Sequence, residues 1–173
     1  MAAVFFSDHF SEDGDNVTTL DKNWRPSTGI SHGRMRVKTA YFKIETASAT
    51  NADVIRIAAF KSGDRIHRII FSNDGAAGAG DMDIGLHAAG RAHDGAVVDD
   101  DLFATTLAIT TAIDQVDVFD EAGLDNWDRG KTLWACAGLS ADPVLDYDLT
   151  GTVDTKPDAD TETRVEVWYT AGD

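Results

Sequence analysis

The sequence predicts an all-β protein: an antiparallel β-sandwich of the jelly-roll type, preceded by an irregular N-terminal arm. Three observations carry that expectation. About eight short stretches alternate apolar and polar residues, the two-residue period of a half-buried strand. Clusters of Gly, Asp, Asn and Pro separate these stretches and mark turns. No stretch sustains the helical period of a long amphipathic helix. With 173 residues and 43% hydrophobic content, the chain is long enough for one domain whose core needs no covalent staple. The expected division is an arm or docking segment over residues 1–37 and a sandwich over residues 38–173.

In the arm the apolar residues Val4, Phe5, Phe6, Phe10, Leu20, Trp24 and Ile30 follow no period, and turn formers such as Asp13-Gly14-Asp15-Asn16 abound. Burying a large apolar side chain is worth roughly 1.5–3 kcal/mol, so these aromatics are expected to be covered. Two arrangements fit: the segment lies across its own sandwich, or it extends onto a neighbouring subunit. Arg34, Arg36 and Lys38 alternate, which would set three cations along one edge of a strand, either a solvated face or a patch for an acidic partner. Phe5, Phe6, Phe10, Trp24, Arg34 and Arg36 are the candidate partner-interface residues.

The strands follow in order. Residues 38–49 alternate Tyr41, Lys43 and Glu45 with Phe42, Ile44 and Thr46. Residues 54–60 and 66–71 flank Lys61-Ser62-Gly63-Asp64 and read as a β-hairpin of two central strands covered on both faces. A Gly/Ala loop over 74–81 follows; its Gly-x-x-Gly-x-Gly order reverses the dinucleotide fingerprint. Met82, Ile84, Leu86 and Ala88 then alternate with Asp83, Gly85 and His87, one face buried and one wet. Residues 90–101, ending in Asp99-Asp100-Asp101, read as a polar connection, and 102–113 as a strand or a short helix. Residues 116–119 form a short strand and 120–130 a loop holding Trp127. Strands over 132–137, 144–153 and 163–170 close the chain, the last with Val165, Val167 and Tyr169 opposed to Arg164, Glu166 and Trp168.

Charge narrows the function. Thirty acidic against fifteen basic residues give −15. Residues 1–68 hold ten basic and eight acidic residues, a net of +2, and the remainder five and twenty-two, a net of −17. The acidic part repels phosphate, so nucleic acid is not an expected partner. Asp greatly outnumbers Glu, which suits solubility in salt; equally, the near-neutral part can dock while the acidic part faces solvent. The start MAAVFFSDHF has no basic flank of a signal peptide, and no apolar run approaches the roughly 20 residues of a bilayer span. A soluble, non-exported chain without a membrane partner is expected.

Catalytic signatures are wanting. Gly130-Lys131-Thr132 ends like a phosphate-binding P-loop, but Asp125 stands where its first Gly is required and a strand is expected to follow. His9, His32, His67, His87 and His93 form no i, i+4 pair; His87 and His93 with Asp94 and Asp99 are a remote metal option, and His67 reads as a hydrogen-bonded core residue. Asp99–101 and Asp154, Asp158 and Asp160 lack the calcium-loop spacing. Cys136 is the single cysteine, without disulfide partner or metal-ligand spacing. There is no Gly-x-Ser-x-Gly elbow. Thirty acids allow no carboxylate pair to be nominated for glycoside hydrolysis. The Asn16-Val17-Thr18 sequon has meaning only on an exported chain. The expectation is a protein without catalytic residues, cofactor or metal.

The segments 41–47, Asp53-Val54-Ile55-Arg56-Ile57-Ala58-Ala59-Phe60, Gly63-Asp64-Arg65-Ile66, Met82-Asp83-Ile84-Gly85-Leu86, Val98-Asp99-Asp100-Asp101-Leu102-Phe103 and Arg164-Val165-Glu166-Val167-Trp168-Tyr169 occur in an order that resembles the small β-sandwich capsid-decoration (cement, or head-stabilising) proteins of tailed bacteriophages. The resemblance spans roughly residues 38–170, from the first to the last of these segments. It implies a non-enzymatic virion structural protein, made in the host cytoplasm, which binds the outer capsid surface as a homo-oligomer, typically a trimer, and stabilises contacts between major capsid proteins. A carbohydrate- or receptor-binding module of a tail fibre or spike is the alternative, with Trp127 as the residue to stack on a sugar. A hydrolase on the same scaffold, built on clustered acids in a pocket, ranks third.

Overall fold

The structure is a computed structural model that describes residues 34–89 and 95–172. Phe5, Phe6, Phe10, Trp24, His9, His32, His93 and Asp94 therefore lie outside the described residues. Among the described residues, eight strands and one helical turn follow in order: β1 (Met35–Ile44), β2 (Val54–Lys61), β3 (Arg65–Asn73), β4 (Asp81–Ala88), β5 (Val97–Ala108), β6 (Ile113–Asp117), α1 (Leu133–Cys136), β7 (Asp146–Thr155) and β8 (Thr161–Thr170). They form two four-stranded sheets, ordered β1-β8-β3-β6 and β2-β7-β4-β5.

The pairing has a simple rule. β1 pairs with β8, β2 with β7, β3 with β6 and β4 with β5, all antiparallel. The chain is thus one long antiparallel ribbon folded back on itself, with β3–β8 and β4–β7 ladders joining its turns. That is the jelly roll. Ile66, Ile69, Phe71, Val165 and Val167 of the first sheet face Met82, Ile84, Leu86, Leu149 and Val153 of the second, all buried. Phe60 meets Tyr169 edge-on at 5.0 Å and Phe103 meets Phe119 at 5.4 Å, closing the core at its ends.

Several expectations are corrected. The 54–60/66–71 pair is not a hairpin, because β2 and β3 belong to different sheets. Lys61-Ser62-Gly63-Asp64 is a corner that carries the chain from one sheet to the other. Its polar groups are satisfied by distant segments: the Ser62 and Leu133 amides donate to the Leu145 and Asp64 carbonyls, and the Asp64 carboxylate accepts from the Lys61 and Gly172 amides at 2.9 and 2.8 Å. β2 is consequently an edge strand, and β3 alone of the two is central. A bulge at His67 opposes two β3 steps to one on β8, so Ile66, Ile69 and Phe71 share the inner face against simple alternation.

β1 begins at Met35, so residues 35–37, expected in the arm, belong to the sheet, and the strand ends at Ile44 before a turn. Asp99–101 is part of β5 rather than a polar connection, and the open stretch after it is strand to Ala108. The β4–β5 register runs from Ile84↔Ala104 to Leu86↔Asp99, two residues against five. The three extra residues roll β5 over the outside of β4, burying Gly85 and His87 on the face expected to be wet. β6 covers Ile113–Asp117, and Val118 and Phe119 follow it as buried core residues outside the ladder.

Finally, residues 132–137 make the helical turn α1 rather than a strand. Only Thr132 bridges to β3, at Arg65, so no sheet edge extends beneath the segment. Leu133 is buried, and Gly138 at φ +73° closes the turn. The Leu139 amide donates to the Trp134 carbonyl and the Gly138 amide to that of Ala135, the Schellman pattern.

Candidate interaction surfaces

The topology gives the sandwich two unlike ends. At one lie the 62–64 corner, the start of β1, the end of β8, the start of β5 and the long 118–145 connection, tied by the Met35↔Thr170, Arg65↔Thr170 and Lys61↔Asp146 pairs. At the other lie the connections 45–53, 74–80, 109–112 and 156–160. Met35, Val97, Trp127, Leu139, Val144 and Leu145 are exposed at the first end, with the exposed cross-strand pair Val37↔Trp168 one step inward. The second end is rich in carboxylates, including Glu45, Asp53, Asp74, Asp158 and Asp160.

Trp127 is 82% exposed, yet its loop is held by hydrogen bonds. The Asp125 and Trp127 amides donate to Asp128 Oδ2 (2.9 Å) and Asp125 Oδ1 (2.7 Å), and Lys131 pairs with Asp128. The Lys131 contact and the Asp125 amide hold the Asp128 carboxyl below its ordinary range. Arg129 fastens the loop to the sandwich. Its guanidinium donates to Asp117 (2.8 Å), Asp120 (2.8 Å), the His67 carbonyl (2.9 Å) and Asn126 (3.0 Å), and lies 4.8 Å from the Phe119 ring centroid. An apolar ring presented on an ordered polar loop loses little entropy when it enters a partner's pocket.

Val144, 84% exposed at the same end, adopts φ +53°. A β-branched residue in the left-handed region is strained, and here the 2.8 Å bond from its amide to Asp142 Oδ1 secures the turn. Val144 and Leu145 flank a small hollow of ≈ 240 Å³ with Lys61, Ser62 and Asp142.

Of the cations expected on the β1 edge, Arg36 and Lys38 come together and Arg34 sits exposed just before the strand. Arg36 and Lys38 line a cleft of ≈ 440 Å³ between the edge strands β1 and β2, with Arg56, Lys61 and Asp146. Lys38 is not a free cation: its ammonium donates to the Ala59 carbonyl and lies 4.2 and 5.0 Å from the centroids of Phe60 and Tyr169, joining the sheets. Arg56 pairs with the buried Asp148 carboxylate.

The remaining chemical candidates are placed structurally. His67 is half-buried beside Thr170 Oγ1 at 3.2 Å, and burial, then Arg65, lower its pKa. His87 is buried with Nδ1 2.8 Å from Thr150 Oγ1. Burial pushes the Cys136 thiol up to about 11, leaving it protonated and unreactive at neutral pH. Gly130-Lys131-Thr132 is followed by a helical turn, not the expected strand, but the missing first Gly still separates it from a phosphate loop. Asp99, Asp100 and Asp101 bring carboxylate oxygens within 4.8 Å of one another. Burial, then hydrogen bonding and repulsion from Asp101, raise the Asp99 pKa; burial, then repulsion from Asp154, Asp101 and Asp100, raise that of Asp83. None of these acids lines the clefts described above.

No protein-family model matches the chain, and no curated protein matches it. Among solved structures, one match is a chain of the "Cyanophage Pam1 capsid asymmetric unit", 14% identical, covering 89% of this chain and 97% of that one with a TM-score of 0.41. A likeness of that degree leaves fold and function to rest on the residues themselves. The class those residues define is an all-β, two-sheet jelly-roll sandwich.

Proposed function

We propose that the chain is a non-enzymatic virion structural protein that binds the outer capsid surface and stabilises contacts between major capsid proteins, as a homotrimer. The exposure of Met35, Val97, Trp127, Leu139, Val144 and Leu145 at one end of the sandwich supports this reading. An isolated sandwich loses solubility by exposing Met35, Val97, Trp127, Leu139, Val144 and Leu145 together, whereas a docked one buries them. Phe5, Phe6, Phe10 and Trp24 of the expected docking segment would add apolar burial to such a contact. Three copies multiply individually weak contacts.

Undecorated capsids incubated with the purified protein provide the test. The wild type is expected to bind at saturable occupancy, Trp127→Ala to lose at least tenfold in affinity, and deletion of residues 1–33 to reduce occupancy further. Light scattering is expected to give a trimer. Undiminished binding by both variants, or absence of the protein from purified virions by mass spectrometry, overturns the proposal.

The exposure of Trp127 also favours a second reading, a sugar- or receptor-binding module of a fibre or spike. A glycan array with signal lost in Trp127→Ala, together with no capsid binding, selects it.

A further inference from the structure

Away from the Trp127 end, the outer face of the β1-β8-β3-β6 sheet holds a groove of ≈ 630 Å³ lined by Tyr41, Lys43, Ser72, Asp114, Glu162 and Arg164, among others. The strand register builds it. Tyr41 pairs with Arg164, and Arg164 with Ser72, so the three lie in one row across three strands on one face. Lys43 pairs with Glu162 one step along. Tyr41 is 73% exposed, with the Arg164 guanidinium 5.8 Å from its ring centroid.

The groove's framework is fixed while several of its polar groups are unspent. Asn73 donates to the Ile109 carbonyl and accepts from the Ile113 amide, both at 2.9 Å, and Asp74 accepts from Thr161 Oγ1 and the Glu162 amide at 2.8 Å. Arg164 gives one nitrogen to Glu166, but its buried Nε has no hydrogen-bond partner among the described residues. Nor has the hydroxyl of Thr163, a residue 3% exposed that also lines the groove. Both atoms are shielded from solvent, so a ligand reaches instead the exposed Tyr41, Asp114 and Glu162.

The chemistry of the lining selects the ligand. Asp74, Asp114 and Glu162 against Lys43 and Arg164 give the groove a slightly negative balance, which disfavours phosphates and other anions. Arg164 beside the Tyr41 ring disfavours a cation seated on that ring. What fits is a neutral ring with a C–H face to lie on Tyr41 and hydroxyls at its rim, donating to Asp114 and Glu162 and accepting from Arg164. We propose that this groove is a saccharide subsite that takes a neutral pyranose of a glycan. The inference is independent of capsid binding; on a docked copy the groove would open away from the docking end.

Amide-resolved NMR titrations with maltose, cellobiose, lactose and chitobiose test it. At millimolar sugar, at least one of the four is expected to shift resonances confined to residues 41–43, 72–74, 112–114 and 162–164. Tyr41→Ala is expected to weaken that binding at least tenfold, Tyr41→Phe to retain most of it, and Trp127→Ala to leave it unchanged. Glu162→Gln, which leaves the stacking ring intact, is expected to weaken it several-fold and guards against a folding defect in Tyr41→Ala. Absence of shifts with all four sugars overturns the proposal, as does binding that survives Tyr41→Ala or centres on Trp127. The capsid assay proceeds separately, so failure here leaves that reading untouched.

Discussion

The main-chain oxygen of Asp99 occupies the space where a side chain on Gly85 would begin: a Cβ placed on Gly85 stands 2.2 Å from it and 2.3 Å from the carbonyl carbon of Asp100. The three-residue excess of β5 over β4 packs backbone directly against backbone there, and backbone cannot step aside as a flexible side chain does. Gly85→Ala is therefore expected to displace β5. The penalty is about 3 kcal/mol, at the upper end for overpacking, and a melting temperature lower by roughly 6–12 °C is the check.

Arg129 binds Asp117, Asp120, Asn126 and the His67 carbonyl at once, and so couples the Trp127 loop to β3 and β6. Arg129→Ala is expected to cost about 2–3 kcal/mol by denaturant unfolding, since several charge-assisted bonds go together. Arg129→Lys recovers less than half, because a point charge cannot span that many acceptors. Under the proposed function, loosening of the Trp127 loop is expected to weaken capsid affinity in both variants.

Val144 separates stability from binding. Val144→Asn relieves left-handed strain and is expected to stabilise the fold by about 1 kcal/mol, a rise of roughly 2–4 °C in melting temperature. The same change removes an exposed apolar side chain from the proposed docking end, so under that proposal capsid affinity is expected to fall while stability rises. A variant that loses stability contradicts the strain argument.

The carboxylates pull stability in two directions with pH. Asp53, Asp74, Asp128 and Asp160 have lowered pKa values, set chiefly by bonds from Thr50, the Glu162 amide, Lys131 and Lys43 respectively. They release protons more readily folded than unfolded, so their contribution is present above the ordinary carboxylate pKa and lost as pH falls through the lowered folded values. Asp83 and Asp99 are raised, chiefly by burial. Their ionised forms are disfavoured in the fold, and that cost is relieved as pH falls through the raised values toward 3.8. Melting temperature is expected to fall steeply below about pH 4 as the lowered carboxylates protonate. Above that, the relief of Asp83 and Asp99 on acidification opposes His67, whose lowered pKa costs stability as pH falls below 6.5. Asp83→Asn is expected to remove part of that relief and so steepen the loss on acidification; an unchanged profile refutes the assignment.

β8 was legible in the sequence because it lies between two neighbours in one sheet, where Val165, Val167 and Tyr169 need only alternate. The corner at residues 61–64 was not. Its residues spell a hairpin turn equally well, and the deciding partners of Asp64 and Ser62 lie far along the chain, at Gly172, Leu133, Leu145 and Asp142. β5 hides its period behind a bulge, which places Leu102, Phe103 and Ala104 consecutively in the interior. α1 did carry a readable mark in Gly138, a helix-ending glycine, but one helical turn is too short for a period. Trp127 stands out in any reading of the chain. The Tyr41 groove does not, because the row Tyr41–Arg164–Ser72 exists only once β8 lies between β1 and β3.

The ribbon rule also sets a timetable for assembly. β1 finds its ladder partner in β8 and β2 in β7, each far along the sequence. During synthesis β1 and β2 emerge with no mate available and wait, edges bare, until β7 and β8 have left the ribosome. Closure must then join segments of very large sequence separation, so maturation is slow and vulnerable to self-association at high expression. Cool, slow production is the regime in which this architecture reaches its native state in good yield.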